Sequence, residues 1–188
     1  GLGRVDHALP GQRNPGHFLG RGLADRAGDG DDLALHPGAT GAANLTGVYR
    51  TGDNPVVDVL IPANITGGQL WVMAVDSSGK VFNVLPNVNY EENDITKLGV
   101  VEGGTRRVRV AYSFDEKRAE PKRLAMKIED TDYGKSEFIA FLTLGDLFDT
   151  RRPRDESVAS FAEALAQAQA ERPGNVLGFA SRILESRP

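Results

Sequence analysis

Gly68-Gln-Leu-Trp-Val-Met-Ala-Val-Asp-Ser-Ser-Gly-Lys-Val-Phe-Asn-Val-Leu-Pro86 decides how this chain folds. Leu70 to Val75 are apolar at every position, the pattern of a strand buried on both faces. Asp76-Ser-Ser-Gly-Lys80 then supplies turn chemistry, because an Asp carboxylate bonds back to nearby backbone N–H groups and Gly takes positive φ without a Cβ clash. Val81 to Leu85 return as a second strand, which Pro86 ends. A three-residue loop from Ser77 to Gly79 sets Asp76 opposite Lys80, Ala74 opposite Phe82, Val72 opposite Val84 and Trp71 opposite Leu85, so that each pair matches in charge or apolarity. Trp71 is therefore expected in the core. A sugar-stacking platform is the competing reading of its ring, and its apolar neighbours weigh against that.

Outward from the hairpin, strand patterning continues. Val56, Val57, Val59, Leu60 and Ile61 form a short apolar strand closed by Pro62, with Asp58 expected at a water-facing position. Val108 and Val110 alternate with Arg107 and Arg109, the pattern of a half-buried strand near a sheet edge. Phe114 to Arg123 is charged and contains Pro121, so it reads as a long hairpin loop between that strand and two more, Leu124 to Ile128 and Glu137 to Leu144. Five or more short strands at hairpin spacing predict a mainly β fold, an antiparallel β-sandwich of immunoglobulin-like architecture. The period changes after Pro153. Asp155 is placed to cap a helix carrying Val158, Phe161, Ala162 and Leu165, and Asn175 to cap a second with Val176, Phe179, Ala180, Ile183 and Leu184. The fold class is thus a β-sandwich with one or two C-terminal α-helices.

Residues 1 to 45 differ from this domain, assigned to residues 46 to 188. They are dense in Gly, Pro, Arg, Asp and Ala and show neither a two-residue nor a 3.6-residue period. Such a stretch buries too little apolar surface to offset its ordering entropy, which predicts an arm or interdomain linker. The same composition also fits GC-rich DNA translated in an unintended reading frame. If the arm is ordered, Leu9, Phe18, Leu19, Leu33 and Leu35 must lie against the domain or a neighbouring chain. A start at Gly1 without Met predicts a piece of a larger protein.

Composition narrows the function. With 22 basic and 26 acidic residues the formal charge is −4, which gives no electrostatic reason to expect nucleic acid as a partner. No apolar run approaches the roughly 18 residues of a membrane span. The absence of cysteine removes disulfides, thiolate catalysis and Cys-ligated zinc, and leaves open whether the compartment is the cytoplasm or the periplasm and cell envelope.

Candidate chemistry is sparse. His7, His17 and His36 with Asp25, Asp29, Asp31 and Asp32 fit no metal-ligand spacing, and Asp29 to Asp32 lacks the alternate ligands and closing Glu of a calcium loop. From residue 46 onward there is no His and no Gly-x-Ser-x-Gly elbow to support a nucleophile. The carboxylate pairs Glu91-Glu92 and Glu129-Asp130 read as solvated loop charges, and Gly103-Gly104 as a turn. No cofactor is expected. The one cluster with a functional reading is basic: Arg106, Arg107, Arg109, Lys117, Arg118, Lys122 and Arg123 fall within one predicted hairpin and could face an acidic partner, diluted by Asp115, Glu116 and Glu120. Arg151, Arg152 and Arg154 precede a helix start, where the dipole disfavours them, so they are expected to bond carboxylates elsewhere.

The hairpin, from Gly68 through the Asp-x-x-Gly-Lys turn to Leu85-Pro-Asn87, resembles the signature hairpin of an uncharacterised bacterial domain commonly appended to caspase-like peptidases, serine/threonine kinases and other multidomain proteins. Leu147-Phe148 with the following Arg-Pro, and Phe161-Ala-Glu-Ala-Leu165, extend the similarity over roughly residues 47 to 185. The resemblance implies a non-catalytic accessory or protein-interaction domain, whose partner is another protein or an upstream domain of the same chain. A module binding envelope glycan or a small ligand is the alternative.

Overall fold

The computed structural model describes residues 33–39, 42–131 and 133–188. Two sheets form its framework. The first has the order β2-β1-β4-β8-β7, formed by β1 (Ala34–Ala39), β2 (Ala42–Ala43), β4 (Val56–Pro62), β7 (Val100–Glu102) and β8 (Thr105–Ala111). The second has the order β10-β6-β5-β9-β11-β3, formed by β3 (Val48–Arg50), β5 (Gln69–Val75), β6 (Lys80–Leu85), β9 (Gly134–Thr143), β10 (Asp155–Ser157) and β11 (Val176–Arg187). Every pairing is antiparallel except β3 with β11. Two helices, α1 (Phe114–Ala119) and α2 (Val158–Glu171), complete the fold.

Each sheet contributes one face to a shared core. Val57, Val59, Ile61 and Val108 from the first sheet meet Leu70, Val72, Val84, Ala140 and Leu142 from the second. The other face of the second sheet is also apolar, and α2 covers it by burying Phe161, Leu165 and Ala168 against Met73, Val75, Val81, Ile139 and Phe141. Burying Phe161 and Leu165 stabilises the helix by about 1.5–3 kcal/mol each, which matters because a 14-residue helix is marginal alone. No described helix is long and apolar enough to cross a membrane.

The hairpin forms over the expected residues, but its register is only partly as expected. Ala74 lies opposite Phe82, whereas a bulge between Val72 and Met73 sets Val72 opposite Leu85 and leaves Trp71 paired with Phe141 on β9. The expected Asp76–Lys80 ion pair does not form. Asp76 Oδ1 instead accepts from Ser78 N–H at 3.0 Å, Ser78 Oγ at 2.7 Å and Lys80 N–H at 2.9 Å, and Lys80 Nζ lies 3.6 Å from Asp155. A carboxylate closing a turn on two backbone donors gains more than one in an exposed ion pair. Trp71 packs edge-on against Phe148 at 5.8 Å and donates Nε1–H to Thr143 Oγ1 at 2.9 Å, on the α2 side of the sheet.

Four other readings change. Within the stretch read as an arm, β1 pairs with β4 over five positions and Leu33 and Leu35 join the core, so the domain begins before residue 45; residues 1–32 lie outside the described residues. Asp58 is buried, not water-facing. The predicted loop holds α1, closed by a capping box in which Ser113 Oγ accepts from Glu116 N–H while Glu116 accepts from Ser113 N–H. Leu124 to Ile128 is irregular, bridging Tyr112 at Ala125 and packing Leu124, Met126 and Ile128 against the core.

The second predicted helix is the long strand β11, so the fold has one C-terminal helix. The buried ten-residue β9 needs a backbone partner on its free side, and that demand overrides the helical spacing. A Cβ at Gly178 would meet Leu33 Cβ at 3.7 Å and Leu142 Cβ at 3.8 Å, so this position faces the core, while Phe179 turns the other way onto Phe141 at 5.3 Å. The first helix starts two residues later than expected, with Ser157 as N-cap and Asp155 in β10.

Candidate functional site

Asp58 is the one charged residue of β4, and β8 answers it. In register, Asp58 lies opposite Arg109, whose Nε and Nη2 donate to Asp58 Oδ1 and Oδ2 at 2.8 and 3.2 Å. Arg109 Nη1 donates to Glu116 Oε1 at 2.8 Å, which ties the strand pair to α1. Arg107, next but one along β8, brings Nη1 within 3.6 Å of Asp58 Oδ2. The hydrogen bonds to Asp58 hold Arg109 firmly protonated. Burial alone would raise Glu116, but the bonds from Ser113 and Arg109 outweigh it and place its carboxyl below the ordinary value.

This network forms one wall of an open groove of 510 Å³. Val84, Leu85 and Val108 contribute its apolar lining, and Asn87, Tyr90, Leu98 to Val100, Lys122 and Arg123 its other walls. Burial raises the phenol of Tyr112, over whose ring Arg123 lies at 4.5 Å. The bend that admits the groove depends on Gly99. At its φ of +62° a Cβ would stand 2.0 Å from Arg107 O, so no side chain fits there.

Of the seven basic residues expected to form one patch, the fold gathers Arg107, Arg109, Lys122 and Arg123 at the groove. Arg106 points elsewhere and donates Nη1–H to Leu98 O at 2.8 Å. Lys117 is tied to Pro121 O and Arg123 O, and Arg118 to Asp115. Arg123 forks onto Glu120 at 2.7 and 2.6 Å. Arg118 and Arg123 are therefore neutralised within their own loop, and Arg106 and Lys117 are spent on backbone carbonyls. Arg107, with its side chain 63% exposed, and Lys122 keep the freest charges.

The other candidates separate. His36 is exposed on β1 opposite Asp58, while His7, His17, Asp25, Asp29, Asp31 and Asp32 lie outside the described residues. Glu91 pairs with Arg151, and Glu92 with Lys97 at 3.2 Å, so these two carboxylates diverge. Glu129 and Asp130 are exposed. Arg152 meets Glu156, a buried carboxylate that also accepts from Ser160 Oγ at 3.0 Å and Asn83 Nδ2 at 3.3 Å; these bonds outweigh burial and keep its carboxyl below the ordinary value. Among the described residues no three His, Asp or Glu gather to hold a metal ion.

Sequence reasoning missed Asp58, Glu116, Tyr90 and Val100 as members of a common site. Only Asp58 carried a signal, as a lone charge inside an apolar strand. No family model, curated protein or solved structure matches this chain.

Proposed function

We propose that the chain is a non-catalytic interaction domain of a larger bacterial multidomain protein, an immunoglobulin-like β-sandwich whose contact surface is the groove beside β8. The supporting observation is the pairing of exposed apolar side chains, Val100 at 60% and Tyr90 at 42%, with the exposed cationic groups of Arg107 and Lys122 around one groove at a sheet edge. Solvent-exposed apolar groups beside spare charge mark contact surfaces more often than catalytic ones. Three of the groove's four carboxylates support the non-catalytic reading, since Asp58, Glu116 and Glu120 are each held by an arginine and only Glu102, at the turn, is not. The resemblance of Gly68 to Asn87 to the hairpin of a bacterial accessory domain agrees with it. A photoreactive residue in place of Val100, in the full-length protein in its own cells, is expected to cross-link to a distinct protein or to another domain of the same chain. A control at exposed Ala159 on α2 is expected not to. Matching cross-links from both positions would refute the assignment.

A second reading has its own support. Tyr90 and Tyr112 flank polar Asn87 and the Asp58–Arg109 pair, a composition that suits a sugar or other small polar ligand. Binding of muropeptide or glycan fragments that shifts Tyr90 resonances, with no cross-link from position 100, would favour it.

A further inference from the structure

We infer that the groove takes an extended polypeptide segment of alternating apolar and acidic residues, added as a strand to the open edge of β8. The inference rests on the interaction reading above and specifies the partner's chemistry. β8 runs from Thr105 to Ala111, but β7 covers only Thr105 to Arg107. Beyond the far end, past a bulge between Arg109 and Ala111 that reverses the alternation, Tyr112 N–H bonds to Leu124 O at 2.8 Å. Among the described residues, Val108 to Ala111 are thus left between two stretches whose edge is already used, a gap of about 13 Å at about 3.3 Å per residue.

The direction of the backbone groups in that gap follows from the turn. Gly103 and Gly104, with φ of 57° and 80°, join β7 to β8 as a two-residue hairpin, so Glu102 and Thr105 form the bonded pair that closes it. Alternation makes Val100 and Arg107 the next bonded pair and turns the N–H and C=O of Arg109 toward the same side, where β7 has ended. Val108 faces the opposite way, toward Val59 on β4. An exposed edge of this kind invites pairing by a further strand.

The surroundings say which strand. One side of the edge is apolar, with Val84, Leu85 and Val108. The other carries the guanidinium of Arg107 and the ammonium of Lys122, while the groove's acids, except Glu102 at the turn, are taken up by arginines. Side chains of an added strand alternate between these two sides, so apolar residues would meet the first and carboxylates the second.

The test is a titration of the ¹⁵N-labelled protein with a blocked pentapeptide of alternating glutamate and valine. Saturable shifts centred on Arg109, with slowed exchange of its amide proton, are expected. N-methylating the peptide amides of one alternate set is expected to weaken binding at least about tenfold, and of the other set to leave it within about twofold, because only one set faces β8. A matched peptide with lysine in place of each glutamate is expected to bind the wild type weakly and the exposed-site variants Arg107→Glu and Lys122→Glu better. Failure of the glutamate peptide to bind, indifference to N-methylation, or equal binding of both peptides would each overturn strand addition. Cross-links from position 100 that persist in that case would leave the interaction reading standing and remove only this mode.

Discussion

Replacing Asp58 by leucine should unfold this protein more readily than replacing Asp58 and Arg109 together. The Asp58 side chain is 10% exposed and that of Arg109 34%, so the single change strands a half-buried guanidinium with Glu116 as its remaining partner. Breaking a fully buried pair costs about 3–5 kcal/mol, and the partial exposure of Arg109 brings this down to about 2–3 kcal/mol. In a domain of this size such a loss lowers Tm by roughly 4 to 12 °C. The double change Asp58→Leu with Arg109→Met removes both charges, leaves Glu116 in its capping box, and should return to within about 1 kcal/mol of wild type. Urea denaturation followed by Trp71, the chain's single tryptophan, reads both, and Trp71 lies on the other sheet, so it reports unfolding of the whole. A cost below about 0.5 kcal/mol for Asp58→Leu, or a double variant no more stable than the single, would refute the reasoning.

Other predictions follow the same logic. Burial raises the Glu137 carboxyl, which is 5% exposed with Oε2 lacking a partner; a raised folded value favours the protonated form, so its destabilisation is present above the folded pKa and fades as pH falls toward about 4.3. Glu137→Met should therefore stabilise by about 1 kcal/mol at about pH 7 and by nothing measurable at about pH 4 in paired denaturation curves. Glu156, lowered in the fold, works in the opposite sense: Glu156→Gln should cost about 2 kcal/mol at about pH 7, a loss that disappears as acid protonates the wild-type carboxylate. Thr143→Val removes the acceptor of Trp71 Nε1–H and a 2.6 Å bond from Thr143 Oγ1 to Gly145 O, and should cost about 1–2 kcal/mol with a shift in tryptophan emission. Gly99→Ala should cost about 2 kcal/mol or more and perturb the amide resonances of Arg107 and Val108, since its Cβ would overlap Arg107 O.

The parts of the fold that local chemistry determines were legible in the sequence. The Asp76 to Lys80 turn and the apolar strands on either side of it form where expected. The strand holding Arg107 to Val110 does so too. What failed was what depends on distant partners. Val176 to Leu184 carries apolar residues at helical spacing, but the unsatisfied side of β9, more than thirty positions away in sequence, recruits it as a strand. The bulge at Val72 and Met73 changes the pairing without leaving a trace in residue type. The basic run around β8 reads as one surface only if nearness in sequence means nearness in function. The ion pairs of Arg118 and Arg123 and the carbonyl bonds of Arg106 and Lys117 divide it instead among separate local partners. Asp58 was visible as a charge in an apolar strand, but only the β4–β8 register reveals Arg109 across from it.

The open edge of β8 underlies both the proposed contact surface and its mode of recognition, and native-state amide exchange resolved by NMR tests it residue by residue. The Arg109 amide should exchange roughly a hundredfold faster than those of Arg107, bonded to β7, and Val108, bonded to β4. Protection of Arg109 equal to that of its two neighbours would mean that the edge is already paired, and would contradict the account.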